Sequence, residues 1–122
     1  MFDKMGKEQK PYSLEERTYQ FAKNCRTLNS ELPSLVCNIE DGKQLIRSSG
    51  SVAANYIEAN DSLGARDKLF RMKISRKEVK ESELWLKLLS DTNPSHRDNI
   101  FLLLKEAREL RRILSRIIIK LS

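Results

Sequence analysis

Turn residues are scarce in this sequence. Four glycines and three prolines are spread over 122 residues, too few to punctuate an all-β fold. Histidine occurs once, as His96. With no second histidine, no Glu-x-x-His pair and no glycine-rich loop, nothing offers a ligand set for a metal or a cradle for a nucleotide phosphate. No catalytic residue, metal site or cofactor is expected, and the chain reads as a non-enzyme. The two cysteines, Cys25 and Cys37, are too few for a disulfide framework. Cys25 falls on an apolar helical stripe, which points to a buried reduced thiol, and Cys37 carries no assigned role. The longest apolar run, 100–104, is far short of the roughly 20 residues that span a bilayer. Residues 1–12 are polar and lack the apolar centre of a secretory signal. They read as a flexible tail, with one domain over 13–122, no membrane contact and a cytoplasmic location.

Charge is what the chain has in abundance. Charged side chains make up 33% of it, hydrophobic ones 39%, and the formal net charge is +6. That mixture suits amphipathic helices with one shared core. The charge is unevenly placed: residues 1–64 carry eight basic and nine acidic groups, whereas 65–122 carry fifteen and eight. All the positive excess lies in the second half. It fits an anionic partner, an acidic protein surface, or simply a solubilising exterior.

The apolar spacing predicts four helices, near 13–32, 38–60, 65–91 and 95–121. Ser13 and Glu16 form a capping box ahead of the first, whose seam is Leu14, Thr18, Phe21, Cys25, Leu28 and Leu32. Asn38 is a candidate N-cap for the second, with Glu40 and Asp41 in its first turn. Its expected apolar side is Ile39, Leu45, Ile46, Val52, Ala53, Tyr56 and Ile57, and its middle is unusually rich in serine, glycine and alanine, which lets a neighbour approach closely. The third carries Met72, Ser75, Val79, Ser82, Leu86 and Leu89 on one seam. Ser95 is the expected cap of the fourth, which has a sustained seam from Ile100 to Leu121. Short links between long helices imply an all-α, antiparallel, up-down-up-down four-helix bundle. Helices 3 and 4 have more apolar surface than one seam uses. Phe70 and Trp85 on the third, with Phe101 and Ile113 on the fourth, are expected at a subunit interface of a homo-oligomer.

Arg47, Ser51, Asn55 and Glu58 follow one another at spacings of four, four and three, so they share one side of the second helix. Spacing alone favours an ordinary solvated face. The alternative is a polar network between helices, in which Glu78 or Glu81 could serve Arg47. These residues also carry a resemblance. Gln44-Leu-Ile-Arg47 leading into Ser51-Val-Ala-Ala-Asn55-Tyr-Ile-Glu58, then Phe70, Ile74, Ser75, Glu78, Glu81, Trp85 and Leu86, resembles the 23S rRNA intervening-sequence proteins, a bacterial four-helix-bundle family. The likeness covers roughly 14–120. It departs at Asn60, where most members have a glycine after an Ala-Glu pair, here reversed as Glu58-Ala59.

The resemblance implies a homopentamer without established enzymatic activity. It also implies kinship with a basic accessory protein of diversity-generating retroelements that binds nucleic acid and a reverse transcriptase. The polar stripe then becomes a structural signature at helix contacts.

Arg66, Lys73, Lys77, Lys80 and Lys87 form a basic stripe on helix 3, and helix 4 adds Arg108, Arg111, Arg112, Arg116 and Lys120. Cations spaced along a rigid rod suit phosphate binding. Glu81, Glu83, Glu106 and Glu109 interrupt them, as on any solvated face, and no base-reading motif accompanies them. Two readings remain. One is an oligomer that binds RNA or DNA through helices 3 and 4, which the resemblance favours; the other is a scaffold that docks an acidic partner protein.

Overall fold

The computed structural model describes residues 13–122, so the tail expected over 1–12 lies outside the described residues. Among them the chain forms four α-helices: α1 (Leu14–Glu31), α2 (Val36–Asn60), α3 (Ala65–Thr92) and α4 (Arg97–Leu121), with a single 3-10 turn at Pro94–His96. Each helix packs on its chain neighbours, α4 returns to α1, and the backbones of diagonal pairs stay apart. The links are short, so neighbours run antiparallel. The expected up-down-up-down four-helix bundle is the observed fold. No helix among the described residues is long and apolar enough to cross a membrane.

The helix starts differ from expectation in instructive ways. Ser13 Oγ accepts the Glu16 amide (3.1 Å), but the Glu16 carboxylate takes Gln20 Nε2 (2.8 Å) and does not reach back, so half of the capping box forms. Asn38 is not an N-cap. Helix α2 begins two residues earlier, at Val36, on Leu35 without a side-chain cap. The Asn38 side chain is instead buried, donating to the Pro33 carbonyl (3.0 Å) and to Asn93 Oδ1 (2.8 Å), while Asn93 returns a bond of 2.8 Å. A reciprocal amide pair satisfies both groups inside the bundle, which an exposed cap would not require. Nor does Ser95 cap α4: it lies within the 3-10 turn that Pro94 opens, and the helix starts after His96.

The core joins Phe21, Cys25 and Leu28 of α1 to Leu45 and Val52 of α2, Met72, Val79, Leu86 and Leu89 of α3, and Ile100, Leu110 and Leu114 of α4. Burial pushes the Cys25 thiol up to about 12, because the thiolate loses its hydration there. On α2 the expected apolar side was partly wrong: Ile39 and Ile57 are exposed, and the buried side holds Asn38, Gly42, Ser48 and Ser49 beside Leu45, Val52 and Ala59. Small residues win because neighbours come close. A Cβ on Gly42 would sit 3.3 Å from the Asn29 side chain, whose Nδ2 donates to the Gly42 carbonyl (3.0 Å). On the other side of α2, Ser75 Oγ donates to the Val52 carbonyl (2.8 Å), and Ser48 and Ser82 share a hydrogen bond of 2.8 Å.

Candidate nucleic-acid interface

Two cross-helix contacts show how α3 and α4 face each other. Arg111 clasps the Glu83 carboxylate through Nε (2.6 Å) and Nη2 (3.2 Å), and Arg76 Nη1 donates to Ser115 Oγ (3.3 Å). With about 100° of turn per residue, these contacts put Lys73, Lys77, Lys80 and Lys87 on the outer edge of α3 that borders α4. Arg108 then falls on the edge of α4 that borders α3, and Arg112, Lys105 and Arg116 turn further outward beside it. The two basic stripes, read separately in the sequence, therefore run side by side. Lys73, Arg76, Lys77 and Lys80 line a shallow depression there together with Glu81 and Leu84.

The interrupting glutamates are all engaged. Glu81 binds Arg47 (2.7 Å), Glu83 binds Arg111, Glu106 binds Arg17 (2.8 Å) and Glu109 binds Arg112. Arg17 and Arg47 come from the helices that carry no positive excess, so α1 and α2 neutralise acids that the sequence places among the cations. Hydrogen bonding to the carboxylates raises the Arg17 and Arg111 guanidinium pKa values further, which keeps both pairs ionised. Arg66, Lys73, Lys77, Lys80 and Lys87 are exposed. Among the described residues, neither these five nor Lys105, Arg108 and Arg116 has a carboxylate within ion-pairing distance.

The polar stripe of α2 lies against α3. Arg47 Nη2 reaches both candidate partners, Glu78 Oε1 (3.0 Å) and Glu81 Oε1 (2.7 Å). Asn55 donates to Ser51, both Oγ and the carbonyl, at 3.0 Å, and its Oδ1 accepts Arg71 Nη1 (3.3 Å). Glu58 is exposed and has no ion-pair partner among the described residues. Three of the four residues thus build a polar seam between helices.

The profile of the 23S rRNA-intervening sequence protein family matches residues 12–116. The chain belongs to this family. A solved structure similar to it is a protein of unknown function from the S23 ribosomal protein family of Bacteroides thetaiotaomicron VPI-5482. The two share 27% identity at a TM-score of 0.76, over 87% of this chain and 98% of that one. No curated protein matches the chain significantly.

Within this family fold the remaining expected residues separate. Phe70 and Phe101 are 58% and 50% exposed, while Trp85 is half-buried against the core and its Nε1 has no acceptor among the described residues. Ile113 is half-buried on the α1 edge of α4, across the helix from Phe101. The four do not form one patch. Arg111 and Arg112 are on the basic face, but both are held by glutamates. Arg76 and Lys105 belong to the face and were missed. Lys105 precedes Arg108 by three and Arg112 by seven, so its spacing could have revealed it; Arg76 became visible only once α4 lay beside it. Among the described residues no three of His, Cys, Asp and Glu gather as a metal site would need.

Proposed function

We propose that this chain is a non-enzymatic homo-oligomeric protein, working in the cytoplasm, whose α3–α4 face binds nucleic acid through phosphates. One observation carries the reading: the glutamates on α3 and α4 are paired with arginines, and the lysine row beside them is left unmatched. A field of one sign on a rigid surface attracts a polyanion and gains affinity from counterion release. Repeating that face around a ring would multiply the field. A homopentamer is the form the family resemblance suggests. Apolar side chains exposed on different sides of one subunit suit a head-to-tail contact, which makes a ring where its rotation closes.

Binding of labelled structured RNA and DNA between 50 and 200 mM salt, roughly the range where counterion release is readily measured, tests this reading. Log affinity should fall linearly with log salt. Changing Lys73, Lys77 and Lys80 together to Glu should weaken every sequence alike and flatten the slope. If neither nucleic acid binds at low salt, the reading fails and a scaffold docking an acidic protein replaces it. Light scattering that finds a monomer at micromolar concentration would remove the oligomer. Phe101→Glu with Ile113→Glu should dissociate it.

A further inference from the structure

We infer that the nucleic acid held by this face is a duplex, with its two phosphate backbones lying along the two helices. The inference rests on the nucleic-acid reading above and narrows it. The cations do not form one track but two, Lys73, Lys77, Lys80 and Lys87 on α3 and Lys105, Arg108, Arg112 and Arg116 on α4. From Lys73 to Lys87 the α3 row extends about 20 Å at 1.5 Å per residue. Packed helix axes lie about 8–10 Å apart, and side chains turned outward from each carry their charges further apart than the axes, toward the roughly 12 Å width of the wider groove of a B-form duplex. Two antiparallel rods at that separation present cations to two phosphate strands at once, and a single strand can use only one.

The side chains between the rows agree. Arg76, Arg111 and Ser115 occupy that strip, and none is aromatic. The exposed aromatics of this face are Phe70 beside the α3 row and Phe101 beside the α4 row, and in antiparallel helices they stand at opposite ends of it. Proteins that hold single strands add base stacking on aromatic side chains, and this strip offers no such platform. It presents no asparagine or glutamine to read adenine, and the arginines there, the side chains suited to guanine, are engaged: Arg76 donates to Ser115 and Arg111 to Glu83. A duplex already has its two backbones fixed and carries about one charge per 1.7 Å, which matches a rigid double row better than a flexible strand does.

Fluorescence anisotropy on the intact oligomer should compare a 20-base-pair RNA duplex, a DNA duplex of the same length, and unstructured oligo-U and oligo-dT of equal charge. Both duplexes should bind at least about tenfold tighter at matched ionic strength. Lys73→Ala, Lys80→Ala and Lys87→Ala combined, or Lys105→Ala, Arg108→Ala and Arg116→Ala combined, should each lower the salt slope for duplex by about 0.9 per lost phosphate contact. Five of the six positions are exposed and Arg108 is half-buried, and circular dichroism would confirm that the helices survive. Single strands binding as tightly as duplexes, or one row proving dispensable for duplex affinity, would overturn the inference while leaving general nucleic-acid binding intact. Absence of any binding at low salt would end both.

Discussion

Between α2 and α3, serines sit where leucines might be expected: Ser48, Ser75 and Ser82 are buried, each making a short-range hydrogen bond, and Arg47 closes the outer edge on Glu78 and Glu81. Between α1 and α4 the contact is the slightest of the four. It is held by the bidentate pair of Arg17 with Glu106 (3.0 and 2.8 Å) and leaves a cleft lined by Asn24, Thr27, Leu28, Asn99, Leu102 and Leu103. Small residues let backbones approach, so the α2–α3 seam has almost no slack and tolerates little change of volume. The α1–α4 seam has room. The bundle is therefore closed by its weakest side, and α1 is the helix least fixed by its neighbours.

Four measurements would break or sharpen that contrast. Leu110 is fully buried in α4 among side chains of the shared core, so Leu110→Asp should destroy both seams at once, costing more than about 4 kcal/mol by denaturant unfolding. An unchanged melting temperature would take Leu110 out of the core. Next, Ser82→Leu should cost roughly 2–3 kcal/mol by overpacking the tight seam, whereas Asn24→Leu beside the cleft should stay within about 0.5 kcal/mol. Equal costs would erase the distinction.

Arg17→Ala should lower stability by about 1 kcal/mol, since both partners are only a quarter exposed and a charge-assisted bidentate pair is lost. Hydrogen exchange should accelerate in α1 before α3. Uniform acceleration along the chain would contradict a locally weak α1.

The smallest effect concerns Cys25, which faces Ser49 of α2 from within α1. Its thiol pKa is raised in the folded state, so the neutral form is favoured there. Stability is then fully present below the unfolded value of about 9 and declines between pH 9 and about 12. Relative to Cys25→Ala, the wild type should lose about 0.8 kcal/mol by pH 9.5. Alkylation at pH 8 should modify exposed Cys37 and spare Cys25; equal rates would mean that α1 opens freely.

Much of this was legible in the order of residues. The seams of α1, α3 and α4 follow the 3.6-residue period closely, because an amphipathic helix must bury one stripe whatever it packs against. Thus Phe21, Cys25, Met72, Val79, Leu110 and Leu114 could be assigned to the core from spacing. Arg47 could likewise be assigned to Glu78 or Glu81, since few acids were within reach. Helix α2 was harder to read. Its buried side is made of serine, glycine and asparagine, and hydropathy assigns such residues to the outside unless the neighbour's distance is known. Asn38 illustrates the point: alone it is a good cap, but with Asn93 opposite it becomes half of a buried pair.

The sequence by itself determined four helices, their antiparallel order, a single core and a positive second half, because periodicity, link length and charge are properties of the chain alone. Only the tertiary structure decided which charges remain unmatched. Glu81 and Glu106 look like interruptions of a basic stripe until α2 and α1 bring Arg47 and Arg17 to them. The cations of α3 and α4 become one double-rowed surface only when Arg76 meets Ser115 and Arg111 meets Glu83. Electrostatic neutralisation depends on distance in space, which residues 30 to 90 positions apart acquire only by folding.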